Sequence, residues 1–128
     1  MRKTLTILAS LALLGHALPA LADGDAAAGE DTFKKKCKAC HMVGPDAKNR
    51  VGPVLNGIVG APAGSVEGFK YSSAMEAKKA EGLVWTEEEL DAFLTKPKEY
   101  LKGTKMSFPG FKEEDDRENV IAYLKSVQ

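Results

Sequence analysis

Apolar side chains recur at helical spacing in three parts of the chain. Near residue 26, Ala26, Gly29, Phe33 and Cys37 fall on one stripe, and Asp25 stands where an N-cap belongs. The pattern predicts a helix from there to about Lys38. Gly29 inside that stripe costs ~1 kcal/mol relative to alanine, which makes sense where another helix crosses very close. Thr86-Glu87-Glu88-Glu89 has the capping-box pattern and opens a middle helix whose Leu90, Phe93 and Leu94 face inward, with Pro97 ending it. The third helix runs roughly from Glu113 to Val127, with Val120, Ile121, Leu124 and Val127 at helical spacing. Acids at its start (Glu113 to Asp116) and Lys125 near its end suit the helix dipole. The first and last helices are natural partners. No strand pattern is convincing, and no internal repeat is visible.

Between His41 and Val66 the chain is punctuated by Gly44, Pro45, Gly52, Pro53, Gly57, Gly60, Pro62 and Gly64. Loops of that length are unusual in a compact domain unless something functional fills the space they enclose. A length of 128 residues with 44% apolar content fits one domain with one core. Eighteen basic and 18 acidic side chains lack the basic excess of a nucleic-acid binder. Two cysteines are too few for a disulfide-dense scaffold.

The first 22 residues read differently from the rest. Arg2 and Lys3 precede an apolar run from Leu5 to Leu14, and Pro19 leads into Ala20-Leu21-Ala22. This predicts a secretory signal peptide over 1–22, cleaved before Asp23, and a single domain over 23–128. The competing reading is an uncleaved membrane anchor. The run is short of the ~20 apolar residues a span requires, and His16 and Pro19 interrupt the longer stretch. Cleavage removes two bases and no acid, and it leaves His41 as the one histidine, with Met42, Met75 and Met106 as the methionines. Export also places both cysteines in an oxidising compartment, where free thiols rarely persist.

Cys37-Lys38-Ala39-Cys40-His41 is the C-x-x-C-H pattern of c-type haem attachment. Two thiols one helical turn apart can form thioethers with the two vinyl groups of a single haem. The adjacent histidine then lies under the iron. A zinc site would want four ligands, usually from two such clusters. A thioredoxin-like pair would sit in a βαβ unit, and a plain disulfide would leave the enclosed loops unexplained. A six-coordinate haem also needs a second axial ligand, and methionine is the candidate left, since Met/His ligation is an established pairing. Met42 is too close to His41 to reach the opposite face. Met75 lies in a stretch with no other constraint, while Met106 sits in a turn-rich loop, Gly103-Thr104-Lys105-Met106-Ser107-Phe108-Pro109-Gly110. Glycines there let the main chain approach a porphyrin closely, which favours Met106. The competing role for Met106 is core filling.

The ordered set of motifs resembles the class I c-type cytochromes, close to mitochondrial cytochrome c and the bacterial c2 group. The set comprises Gly29 with Phe33, Gly52-Pro53-x-Leu55, Gly68-Phe69-Lys70-Tyr71 and Gly82-Leu83-Val84-Trp85. It continues through Pro97-Lys98-Glu99-Tyr100 and Gly103-Thr104-Lys105-Met106 to Ile121-Ala122-Tyr123-Leu124-Lys125. The resemblance implies an all-α fold in which the first and last helices cross, Gly29 and Phe33 meeting Tyr123, with loops wrapping one covalently bound haem c. It implies Cys37 and Cys40 as thioether residues and His41 and Met106 as axial ligands. The Pro53 carbonyl would accept the imidazole hydrogen, Tyr71 and Trp85 would bond a haem propionate, and Phe93 and Thr104 would line the cofactor. Two departures stand out. Phe93 replaces a tyrosine whose hydroxyl touches the methionine sulfur, and Ala61 replaces an arginine near the buried propionate. Losing that positive charge favours the ferric state and lowers the potential.

The function this implies is one-electron transfer in the periplasm by a monomer that is not an enzyme and does not insert stably in the membrane. The donor would be a cytochrome bc1 complex, the acceptor a terminal oxidase or a photosynthetic reaction centre. Lys34, Lys35, Lys36 and Lys38 surround the haem motif, and Lys96, Lys98, Lys102 and Lys105 lead up to Met106. Folded around a haem they would ring its edge with positive charge and steer encounter with acidic docking surfaces. The alternative is a haem enzyme or gas-binding protein with one iron position open, such as a small peroxidase.

Overall fold

The first and last helices of the domain pack across one another, and the rest of the chain is laid around that crossing. A computed structural model describes residues 24–128; the segment read as a signal peptide, its cleavage point included, lies outside the described residues. In chain order the helices are α1 (Ala26–Lys36), α2 (Ser73–Ala80), α3 (Glu87–Thr95), α4 (Pro97–Tyr100) and α5 (Glu114–Ser126). Among the described residues the only sheet-like pairing is an isolated bridge between Pro62 and Val84. No helix among them is long and apolar enough to cross a membrane.

The α1–α5 crossing explains Gly29. A Cβ built there would overlap the Asn119 carbonyl and lie 2.9 Å from the Cβ of Tyr123, so only a bare backbone lets the helices approach this closely. Phe33 and Tyr123 pack beside it with ring centroids 5.5 Å apart and planes tilted by 56°. Asp25 caps α1 as expected, its carboxylate accepting from the N–H groups of Ala27 (2.9 Å) and Ala28 (3.2 Å). Its own N–H donates to the Asn119 side chain at 2.7 Å, which ties the helix start to α5. Phe33, Val120, Ile121 and Leu124 are buried at this junction, and Leu90, Phe93 and Leu94 extend the core through α3.

Three sequence readings gain detail from the structure. The stretch around Met75 is a helix, capped by Ser72, whose hydroxyl accepts from the Met75 N–H at 3.1 Å. Its mixed composition gave no clear stripe, since none of its residues is fully buried. Pro97 ends α3 but also occupies the first position of α4, where a missing N–H costs nothing. The capping box at α3 is half made: Thr86 Oγ1 accepts from the Glu89 N–H at 3.2 Å, but the Glu89 carboxylate does not return to the cap. It accepts from the Tyr100 hydroxyl instead.

Candidate functional site

Cys37 to Cys40 form a turn that continues α1. The N–H groups of Cys40 and His41 both donate to the Cys37 carbonyl, at 3.0 and 2.9 Å. That local closure gathers both sulfurs and the imidazole into one short segment. Both cysteines are free thiols and half-buried. Burial pushes the Cys37 thiol up to about 11, with the neighbouring Cys40 adding to the shift, so the sulfur is held neutral. Among the described residues no group of three or more His, Cys, Asp and Glu side chains is gathered as a metal site would need.

His41 is fixed from two sides. Its Nδ1 lies 2.8 Å from the Pro53 carbonyl, the contact expected from the sequence. Gly52 presses on the ring: a Cβ there would come within 2.7 Å of Nδ1 and 2.8 Å of Nε2. Burial lowers the His41 pKa, with the Pro53 carbonyl opposing. The imidazole is therefore neutral, with Nδ1–H donated to Pro53 and the Nε2 lone pair left to bind a metal.

Met106 lies in an extended segment between α4 and α5, half-buried against the core. Its N–H donates to Thr104 Oγ1 at 3.2 Å, and the Thr104 N–H donates to the Leu101 carbonyl at 3.0 Å. Thr104 thus supports the main chain that carries the methionine. Trp85 is 4% exposed and packs on Phe93 (centroids 5.1 Å) and Tyr100 (6.3 Å). Its indole N–H has no hydrogen-bond partner among the described residues, yet it is not sealed from open space. The Tyr71 hydroxyl accepts from the Val66 N–H at 3.0 Å, leaving its hydrogen free to donate. Burial raises the Tyr71 pKa, so it remains a neutral donor. The Ala61 carbonyl accepts from the Trp85 N–H at 2.8 Å, and Ala61 helps line a cavity of about 450 Å³. That cavity, between the 44–47 and 54–66 loops, is lined by none of the expected haem ligands.

One positioning residue escaped the sequence reading. Asn49 accepts from the Val54 N–H (3.0 Å) and donates to the Glu67 carbonyl (3.0 Å), joining the loop that bears Pro53 to the loop that leads to Tyr71. A lone asparagine in a Gly/Pro-rich loop carries no signal of such a bridge.

These residues fit a haem. Two free thiols sit one turn apart, the imidazole offers Nε2, and two donors, Trp85 and Tyr71, have hydrogens to spare. Around them Val43, Leu55, Val59, Met75, Leu83 and Phe108 are apolar yet only partly buried, a lining suited to a large flat apolar ligand.

The sequence model of the cytochrome c family matches residues 26–128. The chain belongs to the cytochrome c family. It is 53% identical over 109 residues to a c-type cytochrome cy from Rhodobacter capsulatus, covering 85% of this chain and 52% of that protein, about half its length. It is 49% identical over 102 residues to cytochrome c2 from Agrobacterium tumefaciens, covering 80% of this chain and 91% of that one. The solved structure of cytochrome c2 from Rhodospirillum centenum superposes with a TM-score of 0.77 at 43% identity, covering 82% of this chain and 99% of that one. This cytochrome therefore has the all-α class I fold, and Cys37 and Cys40 stand in its haem c attachment motif. It is an electron carrier, and its relatives do not favour an open-iron enzyme or gas binder.

Proposed function

We propose that this cytochrome carries single electrons between redox proteins in the periplasm as a monomer, with His41 and Met106 as axial ligands of one haem. The haem supplies a one-electron couple at its iron. His41, held by Pro53 and Gly52, presents Nε2 without rotating. Met106 is carried on a segment fixed at both ends, so neither side chain must move between oxidation states. Ligation by a methionine sulfur together with an imidazole would raise the potential. Trp85 and Tyr71 would donate to a propionate. No catalytic residue is assigned.

The partners proposed are a cytochrome bc1 complex as donor and a terminal oxidase or photosynthetic reaction centre as acceptor. Lys34, Lys35, Lys36, Lys38, Lys96, Lys98, Lys102 and Lys105 are all exposed, with Lys34 and Lys96 also paired to Glu30 and Glu99. The exposed set supports docking on acidic surfaces with a salt-sensitive on-rate. The observation that carries the reading is the fixed, neutral His41 in the turn that bears both thiols. The ferric absorption spectrum of Met106→Ala and Met75→Ala tests the second ligand. The methionine-to-iron band should vanish in Met106→Ala, which should also bind carbon monoxide when reduced, and persist in Met75→Ala. The opposite pattern overturns the assignment.

A further inference from the structure

The Glu89 carboxylate is diverted from its own helix. In a capping box it would satisfy the Thr86 N–H, but that group donates to the Val84 carbonyl at 2.8 Å. Glu89 instead takes the hydroxyl hydrogen of Tyr100, the last residue of α4. Tyr100 is suited to be a permanent donor: burial first, then the Glu89 hydrogen bond and charge, raise its pKa. Its ring is wedged against Phe93 (centroids 5.7 Å) and Trp85.

The segment beyond Tyr100 shows what this contact holds. α4 is a single turn with no side-chain cap at Lys96, too short to persist without tertiary support. From its end the chain passes through buried Leu101 to Thr104 and Met106 by the bonds described above. Among the described residues, the main chain from 107 to 110 makes no hydrogen bond. The next anchor is the Phe111 N–H on the Leu94 carbonyl at 2.8 Å, with Gly110 against Thr95. Both anchors thus join the methionine segment to α3; in the near one Phe93 packs on the Tyr100 ring, and among the described residues Glu89 is the α3 side chain that hydrogen-bonds it.

We infer that Glu89 is a positioning residue for the methionine ligand: by holding Tyr100, it ties α4 to α3 and keeps Met106 seated on the iron. This rests on the proposed ligation by Met106. The test is the affinity of the ferric holoprotein for imidazole at neutral pH, since exogenous imidazole binds only where the methionine has left. Glu89→Ala and Tyr100→Phe should each raise that affinity about tenfold, the scale of losing part of a hydrogen bond to a charged group. The double variant should go no further than either single one. Glu89→Gln keeps an oxygen acceptor and should restore nearly wild-type affinity. Glu87→Ala is the control, because it breaks the 2.6 Å ion pair to Lys125 from the same helix turn without touching α4. Unchanged affinity in both Glu89→Ala and Tyr100→Phe overturns the inference, as does an equal rise in Glu87→Ala. If Glu89→Ala does not fold, Tyr100→Phe, which keeps the ring packing, decides alone. Failure of the ligand assignment shows separately, as a methionine band that survives in Met106→Ala; the clamp then holds no ligand and falls too.

Discussion

His41 follows the cysteines in a turn closed by its own main chain, whereas Met106 is suspended between anchors on α3 that are distant in sequence. On the histidine side, the Cys37 carbonyl, the Pro53 carbonyl and the flat face of Gly52 all act directly on the turn or the imidazole. On the methionine side, only Thr104 touches the ligand's own backbone, and Glu89, Tyr100 and the Phe111–Leu94 bond act through intervening chain. The difference teaches where each ligand is vulnerable. A ligand fixed by local covalent and backbone geometry fails only when the whole segment fails. A ligand held by remote tertiary contacts can be released while the helices persist, because regions with few hydrogen bonds open below the global unfolding free energy.

Removing the covalent link should break the comparison outright. Cys37→Ala with Cys40→Ala should give a colourless chain that has lost most of its helical circular dichroism. Val43, Leu55, Val59, Leu83 and Phe108, only partly buried against the core, would then leave their remaining apolar surface to water. A haem-free chain with native helicity would show that the α1–α5 crossing suffices alone.

Glycines on the two sides should differ in a graded way. Gly52→Ala drives a methyl into the His41 ring and should cost about 1–3 kcal/mol in denaturant unfolding, the usual range for overpacking. Gly103→Ala meets Ala74 at an ordinary 3.4 Å, but its φ of +91° disfavours any Cβ, at a cost of about 1–2 kcal/mol. Only Gly52→Ala should disturb the iron–imidazole stretching frequency in resonance Raman spectra. An identical disturbance in both would erase the distinction drawn between the two segments.

The smallest expected effect concerns charge. Ala61→Arg restores a cation where the family commonly has one and should raise the reduction potential on the order of tens of millivolts, the scale of a partly screened single charge. Protein-film voltammetry reads this directly, and Ala61→Leu separates charge from filling of the neighbouring cavity. A rise in Ala61→Leu equal to that in Ala61→Arg would assign the effect to water exclusion.

Much of this was legible in the chain wherever the partners lie within a turn or repeat at a fixed period. α1, α3 and α5 appear in their apolar stripes, Asp25 in its capping position, and the attachment site in its spacing. Gly29 is a partial case: the stripe marks it as costly, and only the Asn119 carbonyl explains why. α2 was hidden because it buries no residue fully and so shows no stripe. Asn49 was hidden because an amide in a loop can bond many main-chain groups at similar energy, and the loop path selects the pair.

The local chemistry belongs to the sequence: two thiols and an imidazole within five residues, glycines where the main chain turns or closes in, and helix signals at three places. What only the folded chain decided is the allegiance of side chains with more than one partner in reach. Glu89 leaves its cap for Tyr100, Asn119 reaches the start of α1, and Pro97 begins a helix as well as ending one. A pattern along the chain specifies contacts a few bonds away. A polar contact across many residues is settled by which pairing the packed core brings within hydrogen-bonding distance.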